Sequence, residues 1–339
     1  MSAPHSAYAA RSPKPLAAFD AIHGGPWKLR CPECGAAAFS VGADVVCPTE
    51  ARRVSGCDGV LTLMRAERMA ALAPFLQAYR LVRRSEGWGG DAEYYRGLPF
   101  TSGGRHRAVW RLRARSYRAA LRVIEKRFPE TKRADEQDKI ALRMLEVGAG
   151  NAWFSWRMAE RGHYVLATDI SLDEEDGLGA LARYAWPKTA LHSRLTRARA
   201  EMEELPLEDS QFDVVIANGA LHYARSVPRA IAEARRVLRT GGFFLVLDSP
   251  VYDAHETGRA MVRRRDNDHR ERLGVLPTER TTGFLVASEF RSKLESAGFR
   301  VETRQPFEGL ARRLRRGYCV LRRNDLPARF PLFVSEKRG

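Results

Sequence analysis

Long apolar runs are missing from this 339-residue chain, in which no stretch approaches the ~18–20 residues a helix needs to span a bilayer. The opening MSAPHSAYAARSPKPL also lacks the apolar core of a secretory signal. The expectation is a cytoplasmic protein without a transmembrane segment. Cysteine is scarce, with five in all, and Cys319 stands apart from a group confined to residues 31–57. That clustering excludes a disulfide framework spread through the fold and favours metal binding.

Negative charge is in deficit. Lysine and arginine number 57 against 41 aspartates and glutamates, for a net charge of +16. The excess is uneven: +1 over residues 1–64, +9 over 65–140, −2 over 141–250 and +8 over 251–339. Basic flanks around a near-neutral core would attract an anionic substrate, a phosphate backbone or an anionic membrane surface. Arginines spread over solvated helix faces would give the same count.

Patterning divides the chain into four parts. Residues 1–27 are rich in Ala, Ser, Pro and Gly and read as a flexible segment. Residues 28–64 alternate short β-like stretches with turn signals, a module too poor in apolar residues to fold securely alone. Residues 65–140 read as mainly helical, a linker or lid in which "WRLRARSY" sets Trp110, Arg113 and Tyr117 on one helical face and Arg111 and Arg115 on another. Tyr94, Tyr95 and Phe100 fit either a lid over the substrate or a packing cluster. From residue 141 apolar strands and amphipathic helices alternate, which implies a doubly wound α/β fold with a mostly parallel sheet. Strands are expected near 141–147, 164–169, 190–198, 212–218 and 242–248, with helices near 152–161, 176–185, 226–239 and 286–297. Two later strands, in "FRVETRQPF" and "RFPLFVSEK", would form an antiparallel hairpin at the sheet edge.

The loop in "LEVGAGNAWFSW" has no third glycine. A dinucleotide fingerprint counted from Gly148 requires Gly or Ala at 153, and the residue there is Trp153, whose indole would fill the space of a pyrophosphate. S-adenosylmethionine carries no phosphate, and its usual GxGxG loop needs a third small residue at 152, which Ala152 supplies with a mild departure. Glu146 could accept a hydrogen bond from the methionine ammonium, directly or through water.

On these residues, with "YVLATDIS", "AEMEELPLEDSQFDVVIANGALHY" and "LRTGGFFLVLD", residues 141–250 resemble class I S-adenosylmethionine-dependent methyltransferases of the quinone-biosynthesis type. The resemblance implies a seven-stranded Rossmann-like sheet continuing through 141–339. It also implies a cofactor site of Glu146, Gly148, Ala149, Gly150, Asn151, Asp169, Ile170, Ser171, Glu201, Met202, Asn218 and Gly219. Asp169 would bind both ribose hydroxyls, Glu201 the adenine amino group, and Met202 would flank the ring. Arg115 or Arg113, from the segment before the first strand, could pair with the cofactor carboxylate. His222 and Tyr223, after the fourth strand, and Tyr252 and His255, after the fifth, are the acceptor-side candidates for catalysis; His222 could serve as a general base or only close the pocket. In "DISLDEEDGLGALARY", Asp173 or Asp176 could reach the ribose or a cationic group, or the acids could form an acidic first turn stabilised by the helix dipole.

Cys31-x2-Cys34, Cys47 and Cys57 supply four thiolates suited to a structural tetrahedral Zn2+ that would lend folding energy to the small module. A zinc ribbon ahead of this fold also resembles the rRNA guanine-N1 methyltransferases, which lack the 65–140 insertion. The leading expectation is methyl transfer to a small or lipid-like metabolite. The alternatives are an rRNA base as acceptor, or a non-catalytic zinc-ribbon protein whose methyltransferase fold no longer binds cofactor.

Overall fold

The computed structural model describes residues 26–339 except 42–43, 50–51, 55, 58, 102, 133–139, 185–193, 276–280 and 306–326. The expected flexible segment falls almost wholly outside these residues, as does the arginine-rich stretch that contains Cys319.

The N-terminal module contributes β1 (Leu29–Arg30), β2 (Ala37–Val41), β3 (Asp44–Cys47) and β4 (Arg52–Val54), a four-stranded antiparallel sheet, followed by β5 (Gly56–Cys57) and β6 (Val60–Thr62). Three helices follow: α1 (Ala66–Glu86), α2 (Ala92–Gly97) and α3 (Arg107–Arg127). The remainder alternates β7 (Arg143–Val147), α4 (Trp153–Glu160), β8 (Tyr164–Asp169), β9 (Leu195–Arg199), β10 (Phe212–Asn218), α5 (Val227–Val237) and β11 (Leu238–Leu247). Then come β12 (Val251–Tyr252), α6 (His255–Leu273), β13 (Leu285–Val286), α7 (Ala287–Ser296), β14 (Phe299–Arg304) and β15 (Leu332–Lys337).

The main sheet runs β14-β15-β11-β10-β7-β8-β9-β6-β5. Its seven central and C-terminal strands are those expected, with β7 to β11 parallel to their neighbours and the β14–β15 hairpin antiparallel on β11. Both faces are covered, so the strands are almost continuously apolar. In β10 the two-residue period still sorts them: Val214 and Ile216 face the cluster of Trp110, Tyr117, Phe154 and Phe243, while Val215 and Ala217 face that of Leu145, Ile231 and Phe290.

Three expectations change. Among the described residues the sheet has nine strands, because β6 of the cysteine module pairs in parallel with β9 (Val60 opposite Arg197, Leu61 opposite Ala198) and carries β5 at the edge. Leu29, Leu61 and Leu63 thus sit in the main core, and the module borrows the apolar burial it could not supply itself. The helix expected at 176–185 is a 3-10 helix over Leu178–Tyr184. Its glycines explain the tightness: a Cβ on Gly177 would stand 2.5 Å from the Asp173 nitrogen, and one on Gly179 2.6 Å from the Leu172 oxygen.

The third concerns the acidic run 173–176, where Asp173 accepts from the Glu175 and Asp176 amides at 2.8 and 3.0 Å, Asp176 lines the pocket, and the acids meet cationic side chains of α1. Arg80 pairs with Asp173 at 2.6 Å, Arg83 with Asp176, and Arg84 with Glu175 at 3.7 Å. At the other end of α1, Arg65 pairs with Glu204, and Arg68 grips Glu201 with Nε at 2.9 Å and Nη2 at 2.6 Å. Helix α1 is therefore fastened at both ends across the carboxyl edge of β8 and β9.

Candidate functional site

The strand ends carry most of the expected site residues to one pocket. It is lined by Gly148, Ala149, Gly150 and Asn151 after β7, Asp169, Ile170 and Ser171 at β8, Glu201 and Met202 after β9, and Asn218, Gly219 and Tyr223 at β10. This is the crevice beyond the carboxyl ends of a doubly wound sheet where ligands bind.

The first loop is built for close approach. Gly148 has φ +65°, and a Cβ there would stand 2.4 Å from the Ala220 Cβ. Ala152 also adopts the left-handed conformation, φ 57°, the geometry that makes glycine usual at this position. Trp153 is the first residue of α4, where a diphosphate would sit on the helix N-terminus. It is buried, lines the pocket and packs edge-on against Trp110 and Tyr117, with ring centroids 6.1 and 6.0 Å away.

Asp169 faces that loop. One carboxylate oxygen accepts from the Gly150 amide at 2.8 Å and the other from the Ser171 amide at 2.7 Å, which fixes both oxygens at the pocket wall. Removal from water raises its pKa to about 6. Glu146 is buried, and the loss of solvent lifts it further, to about 7. Its Oε2 accepts from the Ser155 amide at 2.9 Å and hydroxyl at 2.5 Å, capping α4. Its carboxylate also faces the Asn218 side-chain amide, whose Oδ1 is buried without a hydrogen-bond partner; Asn218 lines the pocket, and Glu146 lies behind it. Glu201 meets the pocket while holding Arg68, so its charge is already balanced.

The acceptor side differs from expectation. Tyr223 lines the pocket, edge-on to Tyr79 at 5.7 Å. His222 lies behind it, buried, with Nδ1 3.2 Å from the Ser249 hydroxyl. Burial, then the charges of Arg265 and Arg113, lower its pKa to about 3, so the ring is neutral at neutral pH and a poor proton acceptor. Tyr252 and His255 leave the pocket because β12 turns away to pair with β13. Tyr252 packs with Phe284 and Val286, and the exposed His255 bonds Glu289 at 2.5 Å. Arg115 is exposed on the outer face of α3, whereas Arg113 lines the pocket. Tyr94 and Tyr95 form a packing cluster, with Tyr95 donating to the Glu175 carbonyl at 2.7 Å, and Phe100 is exposed.

Sequence reasoning missed the roof. Leu72, Phe75, Leu76, Tyr79 and Arg83 of α1 line the pocket. Their spacing of three, four and seven residues is a helical stripe that periodicity alone could have exposed.

In the N-terminal module the sulfur atoms of Cys31, Cys34 and Cys47 lie within 4.8 Å of one another, with Cys34 and Cys47 3.5 Å apart. The side chain of Cys57 is outside the described residues.

Residues 145–246 match a family model described as a methyltransferase domain. The malonyl-[acyl-carrier protein] O-methyltransferase of Geobacter sulfurreducens is 34% identical over 161 residues, covering 47% of this chain and 55% of that one. The tRNA U34 carboxymethyltransferase of Methylococcus capsulatus is 30% identical, covering 44% of each chain. The ubiquinone/menaquinone biosynthesis C-methyltransferase of Dinoroseobacter shibae is 31% identical, covering 32% of this chain and 43% of that one. The chain thus spans about half the length of these curated relatives.

Proposed function

We propose, from a chain that carries a methyltransferase domain over residues 145–246 and resembles the class I S-adenosylmethionine-dependent enzymes, that it transfers a methyl group from that cofactor to a small or lipid-like metabolite. The observation that carries the reading is the paired demand at the first loop. A two-glycine cradle would admit the cofactor's backbone-hugging tail, while a bulky Trp153 stands at the N-terminus of α4, where a diphosphate would need room. The residues fit the group: Asp169 offers two fixed carboxylate oxygens to a ribose, and Asn218 Oδ1, on a residue of the pocket wall, is buried without a donor.

When bound, S-adenosylmethionine supplies an electrophilic methyl group on a sulfonium. The chain supplies position: Asp169 and the glycine loop hold the adenosine half, and the α1 roof of Phe75, Leu76 and Tyr79 excludes water and receives an apolar acceptor. His222, neutral and set back, supports Tyr223 by ring contact at 4.2 Å. A relative acting on an acyl-carrier-bound malonyl group and another acting in quinone biosynthesis support a metabolite as acceptor. Incubation with methyl-labelled cofactor and a fractionated cell extract should place the label in the small-molecule and lipid fraction. Label in the RNA fraction alone would overturn this in favour of an RNA base. That second reading draws on the tRNA-modifying relative and on α6, which exposes Arg259, Arg263, Arg270 and Arg272.

Cofactor affinity should depend on pH with a definite sign. Ribose hydroxyls donate to ionised Asp169 and an ammonium pairs with ionised Glu146, whose pKa values stand at about 6 and about 7. Protonation on acidification removes both acceptors, so affinity for S-adenosylhomocysteine should be flat above pH 8 and fall roughly tenfold or more by pH 5.5. Calorimetric titration across that range checks it; tighter binding at pH 5.5 would contradict it.

The same reading gives Cys31, Cys34 and Cys47, with Cys57, the role of a structural zinc site. Three sulfurs already converge as tetrahedral thiolate ligation requires, and a complete four-thiolate shell leaves no open position for chemistry. Elemental analysis should find one zinc per chain, and chelation should lower the melting temperature by roughly 5 °C or more, because β6, paired with β9 in the main sheet, is tied to the module. Metal-free protein of unchanged stability would count against it.

A further inference from the structure

Arg113 of α3 has an unusual setting. Its guanidinium lies over two indoles, 5.3 Å from the Trp88 ring centroid and 4.7 Å from that of Trp110, and it lines the pocket. Two other arginines line the same pocket: Arg83, which is paired with Asp176, and Arg225, which is exposed at the rim. Among the described residues no carboxylate forms an ion pair or hydrogen bond with Arg113, in a chain where arginines are otherwise heavily paired. A half-buried guanidinium held flat by aromatic faces keeps its fork of donors free, the arrangement that suits bidentate capture of an anion.

Its place in the fold puts the anion at the β10–β11 end of the pocket, beyond the positions given to the adenosine. The adenosine positions stand on one half of the sheet: the glycine loop after β7, Asp169 on β8 and Glu201 after β9. Arg113 lies on the other half, with Nη2 3.9 Å from where a Cβ on Gly219 would stand, beside Asp248 at the end of β11. The surroundings there are polar and unsatisfied. Thr281 Oγ1, which lines the pocket, and Asp248 Oδ2 are buried without hydrogen-bond partners. Buried polar groups of this kind are expected to meet a partner, and the free donors of Arg113, whose charge also acts on Asp248, suit an anionic one.

We propose that the methyl acceptor carries a carboxylate or phosphate, captured by Arg113 over the β10–β11 end of the pocket, with its apolar body against Phe75, Leu76 and Tyr79. This rests on the methyltransferase reading and adds the chemical class of the acceptor. Binding is measured on protein saturated with S-adenosylhomocysteine, by calorimetry and by the fluorescence of the nearby tryptophans, with benzoate, phenyl phosphate and uncharged benzamide as probes. At least one anion should bind tenfold or more tightly than benzamide, and the tighter of the two identifies the group. Arg113→Gln should weaken that anion tenfold or more while S-adenosylhomocysteine affinity stays within about twofold, and Arg111→Gln, exposed on the same helix, should change neither. Benzamide binding as well as both anions, or no anion binding at all, would overturn the inference. So would a tenfold loss of S-adenosylhomocysteine affinity in Arg113→Gln, which would give Arg113 to the cofactor's own carboxylate. Failure of the wild type to bind S-adenosylhomocysteine would instead bring down the methyltransferase reading beneath it.

Discussion

Asp169→Ala is expected to weaken binding of S-adenosylmethionine by on the order of 100-fold or more while leaving a folded protein. Two losses combine. The ribose loses a carboxylate whose oxygens are both aimed and charged, and the glycine loop loses the bond from the Gly150 amide at 2.8 Å that sets its distance from β8. A charge-assisted hydrogen bond contributes about 1.5–3 kcal/mol, so two of them to vicinal hydroxyls account for the whole effect. The strand itself should survive, since Val165, Leu166 and Ala167 carry its burial and none touches the carboxylate's role. Calorimetry with a thermal melt checks both halves; affinity within threefold of the wild type would remove Asp169 from the site.

The second large effect separates two glycines that look alike in the sequence. Both Gly148 and Gly150 have positive φ, so alanine at either incurs about 1–2 kcal/mol of backbone strain. Only Gly148 is also sterically closed, because a Cβ there meets the Ala220 Cβ at 2.4 Å and the Met202 terminal methyl at 3.3 Å. At Gly150 the nearest atom would be the Asp176 carbonyl oxygen, at 3.6 Å. Gly148→Ala should therefore destabilise by about 2–4 kcal/mol and push the β7 and β10 loops apart, with cofactor affinity falling tenfold or more. Gly150→Ala should cost about 1–2 kcal/mol of stability. Urea denaturation of the two variants side by side gives the comparison, and equal costs would contradict the packing at Ala220. Ala152, already left-handed at φ 57°, illustrates that this loop tolerates the conformational part of the penalty by itself.

Local physics made much of this legible. β8 and β10 fall at the residues their apolar runs predict, because strands buried on both faces need continuous hydrophobicity and stop where it stops. The residues lining the cleft follow, since each sits within a few positions of a strand's carboxyl end. What stayed hidden depends on partners far along the chain. Arg83 and Asp176 are 93 residues apart, and no spacing rule says that the acids after β8 exist to fasten α1. The parallel pairing of β6 with β9 is equally non-local, which is why the cysteine module read as a separate unit. Tyr252 and His255 were misplaced for a third reason: the residues after a strand end normally enter the cleft, and here a two-strand pairing with β13 diverts them. Arg113 rather than Arg115 faces inward through helical phase alone, with Trp110 and Tyr117 on the same buried stripe.

The central claim is that the first loop selects a sulfonium nucleoside over a dinucleotide. The direct measurement is a pair of calorimetric titrations on the intact chain, one with S-adenosylmethionine and one with NAD. S-adenosylmethionine should bind one per chain with a Kd of roughly micromolar order, some −8 kcal/mol, and NAD should give no binding heat. Binding of NAD with none of S-adenosylmethionine would contradict the account at its root.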